Sequence, residues 1–141
     1  MITRKITKNI AFHELVPKQY LLNKEKITDR DIRFLDIGLI QDIQKIREYF
    51  NKPLTINDGK MFNWRGLRTP EFNKYNPESM HSWWRAYDFH IEGIEVDEIR
   101  QHIINNRDLS YRSVSAIEEG VNWIHVDSRY RPDDTLLIFS Q

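Results

Sequence analysis

The strongest periodicity in the chain runs from Leu35 to Phe50. Leu35, Leu39, Ile43, Ile46 and Phe50 recur at three- and four-residue steps while Asp36, Gln41, Lys45 and Glu48 fill the other side, which predicts an amphipathic helix. Asn51-Lys52-Pro53 supplies its stop, a C-terminal signal followed by a breaker. Val96, Ile99, Ile103 and Ile104 predict a second helix over Val96 to Asn106 by the same spacing. Alternation takes over elsewhere. Leu54 and Ile56 alternate with Thr55 and Asn57 in a short strand from Pro53 to Asn57, and three more strands are expected at Ser113 to Ile117, Val121 to Asp127 and Thr135 to Phe139. Glu119-Gly120 and Pro132-Asp133-Asp134 are their turns.

The remaining segments carry weaker patterns. An extended or loosely held arm reaches Asn9, and Phe12, Leu15 and Val16 form a short apolar patch with helical spacing that ends near Pro17. Gln19 to Arg30 is polar and reads as loop. Asp58 to Pro77 has no period of either kind, and loops longer than about 15 residues in a compact domain are usually functional or disordered. Phe62, Trp64, Phe72 and Tyr75 within it argue against disorder. The expectation is an ordered wall beside a site, carrying Arg65 and Arg68. Helices first and a meander later predict an α+β fold with an antiparallel sheet packed against helices.

Composition narrows the chemistry. A length of 141 residues fits a single domain over residues 1–141, large enough to bury a core without staples. Cysteine is absent, so disulfides and thiolate metal sites are excluded and any metal must sit on histidine and carboxylate. With 21 basic and 21 acidic residues the formal charge is zero, unlike the basic footprint of a nucleic-acid binder. The first ten residues are positively charged, but no apolar stretch follows and no run approaches a membrane span. Neither a signal peptide nor an anchor is therefore expected, and synthesis in the cytoplasm is.

Within that frame one constellation stands out: His81 and Asp88 in Ser79-Met-His-Ser-Trp-Trp-Arg-Ala-Tyr-Asp88, with His125 and Asp127 in Trp123-Ile-His-Val-Asp127. On a straight helix, His81 and Asp88 would lie about 10.5 Å apart along the axis, too far for two ligands that must each sit roughly 2 Å from one ion. A shared metal requires a loop or a turn into a strand between them, which the aromatic residues Trp83, Trp84, Tyr87 and Phe89 allow. His125 and Asp127 are two apart in an apolar run, so a strand points both to one face. Two imidazoles and a carboxylate are the usual three protein ligands of a catalytic zinc. His13, His90 and His102 carry no assigned role, and Trp83, Trp84 and Trp123 read as packing residues or as a cleft wall.

Ser79-x-His81-x6-Asp88 followed by Trp123-x-His125-x-Asp127 resembles the M15 family of zinc peptidases, the D-alanyl-D-alanine carboxypeptidases and phage endolysin peptidases that share a fold with the Hedgehog signalling domain. Those proteins carry Ser-x-His-x-x-Gly-x-Ala-x-Asp; this chain keeps Ser79, His81, Ala86 and Asp88 and has Trp84 in the glycine's place. Leu54-Thr-Ile-Asn57 with Arg65-Gly-Leu-Arg68 is similar to the family's strand and substrate-facing arginine, and Asn9 to Leu15 is similar to the opening of phage-type members.

The resemblance implies a Hedgehog/DD-peptidase-like fold, zinc on His81, Asp88 and His125, and a peptidoglycan peptide with D-residues as substrate. The metal would lower the pKa of its water and polarise the scissile carbonyl. Arg68 would bind substrate carboxylate or steady the oxyanion, and Ser79 would hydrogen-bond substrate. A carboxylate must also move the proton. Many members place it three residues before the last histidine, where this chain has Asn122. Glu118 takes the role here, as the place where phage-type members carry glutamate. Glu119 is the alternative, as in Hedgehog-type proteins, and Asp127 is a reserve that fits better as a partner orienting a ligand imidazole. A two-residue turn at Glu119-Gly120 would put Glu118 opposite Val121, four residues and about 13 Å from His125. That distance is too long for direct proton transfer unless the turn curls back, and a wider turn changes both facing and reach. Trp84 and Asn122 also leave open a catalytically inactive binding or structural module on the same fold, such as a virion component.

Overall fold

The computed structural model describes residues 2–141. Four α-helices and five strands follow in the order α1 (Lys18–Leu21), α2 (Asp29–Ile32), α3 (Ile37–Phe50), β1 (Leu54–Thr55), β2 (Ala86–Ile91), α4 (Val96–Ser110), β3 (Ala116–Glu118), β4 (Ile124–Asp127) and β5 (Leu137–Phe139), with 3-10 turns at Phe12–Glu14 and Met80–Trp83. The two long helices form where the apolar spacing places them. Asp36 caps α3 by accepting from the Leu39 N–H at 3.1 Å, and Asn51, in the left-handed region at φ 52°, ends it two residues before Pro53.

The strands form one sheet in the order β1-β2-β4-β3-β5. The sheet is mixed rather than antiparallel. β1, β2, β4 and β3 pair antiparallel, but β5 lies parallel to β3, with Ala116 against Leu137 and Glu118 against Phe139. The reason is the connection. After β4 the chain does not turn straight back through Pro132-Asp133-Asp134; it runs around the end of the sheet. Arg107 of α4 holds that path by donating to the Asp134 carbonyl and, at 2.9 Å, to its carboxylate.

The polar segment expected as loop contains α1 and α2. Each is a single turn, too short for a 3.6-residue period to register, and α2 is held by polar atoms. Asp31 accepts from the Thr28 N–H at 2.8 Å and from its hydroxyl at 2.9 Å. The N-terminal arm is docked rather than loose, through a bridge between Lys5 and Ala11 and bonds from Thr7 and Asn9 to Gln44 of α3. Among the described residues no helix is long and apolar enough to cross a membrane.

Alternation along the strands divides the sheet into two faces. Tyr87, Phe89, Ile91, Ile117, Ile124 and Val126 turn into a core with Leu39, Ile43 and Ile46 of α3 and Ile99 and Ile103 of α4. Each such side chain, removed from water, contributes roughly 1.5–3 kcal/mol. Asp88, Glu118, His125 and Asp127 occupy the intervening positions on the opposite face. Burying the apolar face therefore decides where the polar residues point.

Gly66 fixes the long loop against this framework. A Cβ there would run into the Leu15 carbonyl oxygen, and the neighbouring Leu67 N–H donates to the same carbonyl at 2.9 Å. Gly66→Ala is expected to destabilise the fold by about 1–3 kcal/mol, because backbone must shift to admit one methyl group. Urea unfolding measures it, and a change below about 0.5 kcal/mol would contradict the close approach.

Candidate metal centre

His81, Asp88 and His125 arrive from three segments. The 3-10 turn Met80–Trp83 carries His81, β2 carries Asp88 and β4 carries His125, and the turn into a strand that a shared site requires lies at Trp84 and Arg85. Trp84 stands at φ 64°, in the left-handed region, where a side chain costs about 1–2 kcal/mol and glycine costs nothing. Glycine would adopt this backbone conformation without strain. The tryptophan is offset by packing, stacked on Phe34 at 5.8 Å and edge-on to Tyr20 at 5.4 Å, on the side away from the cleft. Trp84→Ala keeps the strain and loses the packing, so it should destabilise by about 2 kcal/mol. Trp84→Gly should be the more stable of the two variants by about 1 kcal/mol. Denaturation midpoints of the pair decide it, and the reverse order would refute the strain.

β2 and β4 pair with Asp88 directly opposite His125. β4 and β3 pair through Ala116 with Asp127 and Ile117 with Val126, so the same register carries Glu118 to the level of His125. Opposed residues have Cβ atoms about 4.5–5.5 Å apart. The two-residue turn is replaced by a five-residue connection, Glu119 to Trp123, and the expected 13 Å separation with it. Glu118 is buried and lines the same cleft as the three candidate ligands. Glu119 and Asn122 are exposed and do not line the cleft.

The three candidate ligand atoms lie within 4.8 Å of one another. His81 Nδ1 donates to the Gly66 carbonyl at 2.8 Å, since a carbonyl can only accept. Nε2 is then the ring nitrogen left for a further partner. It is buried 3.2 Å from Asp88 Oδ1 and makes no hydrogen bond. A cation between the two atoms, a proton or a metal ion, would satisfy both. Asp88 Oδ1 also lies 2.8 Å from His125 Nδ1. A tetrahedral ion with ligand bonds of about 2.0–2.2 Å needs its ligand atoms roughly 3.3–3.6 Å apart; the two separations from Asp88 Oδ1, 3.2 and 2.8 Å, are shorter, so the side chains would open by a few tenths of an ångström to admit one. The residues fit a divalent ion of the His/carboxylate type.

Electrostatics in the protein alone run the same way. Burial opposes charge on His125, but its bonds to Asp127 at 2.9 Å and to Asp88 outweigh burial and raise its pKa to about 9. At neutral pH both ring nitrogens therefore carry hydrogen, and an ion taking Nδ1 displaces a proton. Burial likewise opposes charge on Asp88, yet His81 and His125 hold its carboxyl well below the usual range. Asp127 is fully buried; burial is outweighed there by the bonds from Arg129 and His125, and its pKa is lowered. Arg129 grips it as a fork, Nε to Oδ1 at 2.8 Å and Nη2 to Oδ2 at 2.6 Å. Asp127 thus orients His125, as its strand position suggests, and is too engaged to move a proton of its own.

Arg68 lies in the cleft but is not simply substrate-facing. Its Nη2 donates to Asp88 Oδ2 at 3.1 Å and its Nε to the Trp64 carbonyl at 2.8 Å, so it also holds the carboxylate that Oδ1 offers to an ion. Ser79 lines the cleft and accepts from the His81 N–H at 3.3 Å. Phe72, Trp123 and Phe139 add walls to this cleft of about 590 Å³. Arg65 is elsewhere, over Phe62 at 3.5 Å and bonded to His90. His13 and His102 also lie outside, bonded to Thr3 and Tyr111. Sequence reasoning missed Arg129. It lies two residues past the end of β4, and a basic residue two beyond an acid was the available signal.

Fold and site together define an α+β domain with a mixed sheet and a buried His₂Asp group able to hold a metal ion. Comparison with family models, with curated proteins and with solved structures finds no match in any of the three.

Proposed function

We propose that the chain is a zinc-dependent peptidase of the M15 kind, with a Hedgehog/DD-peptidase-like fold, that hydrolyses peptidoglycan peptide bonds involving D-residues. The observation that carries this reading is the close buried pair of His81 Nε2, which makes no hydrogen bond, and Asp88 Oδ1, 3.2 Å apart beside His125 on the floor of an open cleft. Three protein ligands with a solvent-reaching side favour a catalytic ion over a structural one, which would be closed by a fourth. The carboxylate of Glu118 on the same face, lining the same cleft, supports hydrolysis in particular.

Zinc, when bound, supplies a Lewis acid for the scissile carbonyl and a more acidic water. The chain's own residues do the rest. His81, Asp88 and His125 hold the ion, and Asp127, gripped by Arg129, keeps the His125 ring in the tautomer that frees Nδ1. Glu118 takes the proton of the attacking water and returns it to the leaving amine. Arg68 steadies Asp88 and has a further guanidinium nitrogen to offer substrate oxygen. Ser79 keeps its O–H as a donor toward the peptide. Release from the cytoplasm to the wall, or carriage in a phage particle, would bring such an enzyme to its substrate.

The test is zinc per chain together with muropeptide release from purified peptidoglycan. One zinc and release of peptide fragments are expected. Zinc without release would favour the inactive binding module, and no zinc with no release would end the enzymatic reading.

A further inference from the structure

Glu118 reaches the cleft because the chain between β3 and β4 takes a wide path, and one buried side chain holds that path. Arg100, on the inward face of α4, donates from Nε to the Glu118 carbonyl at 2.9 Å and from Nη2 to the Val121 and Trp123 carbonyls at 2.9 and 3.1 Å. Its Nη1 meets Asp97 at 2.7 Å, one turn back on the same helix. Three carbonyls spanning the connection, from the last residue of β3 to the residue before β4, therefore converge on one guanidinium. The Glu119 N–H adds a bond to the Phe139 carbonyl at 2.8 Å from the β5 side. A planar fork is the side chain suited to this task, because it meets several acceptors in fixed directions; an ammonium at the end of a flexible stem does not.

We infer that Arg100 is a positioning residue that sets where the Glu118 carboxylate stands relative to His81, Asp88 and His125. This rests on the reading of Glu118 as the proton carrier. The physical basis is the short lever between them. The carbonyl that Arg100 holds belongs to Glu118 itself, so slack in the connection moves that residue, while Asp88 and His125 stay fixed by their own β2–β4 pairing. A displacement of about 1 Å at a reacting group can cost on the order of 10²-fold in rate.

α4 provides an internal control. Arg107, two turns further along and equally buried, holds the Val114, Arg112 and Asp134 carbonyls and lines no part of the cleft. Arg100→Lys and Arg107→Lys should therefore cost similar stability, and only the first should move Glu118.

The test uses the full chain loaded with Co²⁺ as a paramagnetic probe and reads relaxation enhancement at the Glu118 side-chain carboxyl carbon, which falls steeply with distance from the ion. Strong enhancement is expected in the native protein and in Arg107→Lys, and a reduced one in Arg100→Lys at unchanged cobalt stoichiometry. On muropeptide substrate, Arg100→Lys should lose about 10–100-fold in kcat with KM little changed. Adding Arg100→Lys to Glu118→Gln should bring little further loss. Native-like enhancement in Arg100→Lys, or a full further loss in the double variant, overturns the inference and leaves the peptidase reading standing. No cobalt-dependent effect on Glu118 in the native protein overturns the role of Glu118, and this inference with it.

Discussion

Glu118→Gln should lower kcat by about 10²–10⁴-fold, the span that a positioned general base contributes, while zinc stays at one per chain and the unfolding midpoint barely moves. The substitution keeps the shape of the side chain and removes its ability to accept a proton. Three features make the effect separable. Glu118 stands outside the group that the three ligands form, so metal should be retained. Its carboxylate lines the cleft and the substitution keeps its volume, so little stability is at stake. The candidates Glu119 and Asn122 are exposed and away from the cleft, and Asp127 is bound on both sides, so none can substitute. Steady-state kinetics and metal analysis on one preparation check this. Activity within tenfold of the native protein would remove Glu118 from the chemistry.

His125→Ala has the other large expected effect, loss of zinc uptake together with all peptide release. His125 is the centre of the constellation. Its Nδ1 faces Asp88 and its Nε2 is held by Asp127, so truncation removes one ligand of three and leaves Asp127 without its imidazole partner. Added zinc should raise the unfolding temperature of the native protein, since a ligand that binds only the folded state stabilises it by mass action. The same addition should leave His125→Ala unchanged. Asp127→Asn is the graded comparison. It keeps the ligand but weakens what orients it, and should cost about 10–100-fold in zinc affinity. Isothermal titration of the three proteins ranks them, and equal affinity in His125→Ala and native protein would show that the ion, if bound, sits elsewhere.

The amphipathic pattern of Leu35 to Phe50 and of Val96 to Ile104 was sufficient to place both long helices, because a 3.6-residue period repeated over three or more turns has no strand alternative. α1 and α2 were not legible, since one turn has no period and a buried Asp31 stands where an apolar residue would mark the inner face. The site was legible to the extent that metal ligation demands particular residue types. With no cysteine, His81, Asp88 and His125 were strong candidates, and their strand parity put His125 and Asp127 on one face. The parallel pairing of β5 was not legible. Pro132-Asp133-Asp134 reads as a hairpin turn, whereas the chain runs around the sheet there, with Asp134 bonded to Arg107 of α4.

By itself the sequence determined the kind of atoms available for chemistry, two imidazoles and several carboxylates with no thiol, and the alternation that sends them to the face opposite the core. Those properties are local, set by residue type and by the two-residue repeat of a strand. The tertiary structure alone decided which carboxylate joins the imidazoles. Glu118 and Glu119 are neighbours in the chain, and the width of one connection, with the β3–β4 register it permits, buries the first beside His125 and leaves the second in solvent. Arg100, 18 positions from Glu118, donates to the carbonyl of that residue, and no spacing rule along the chain contains such a contact.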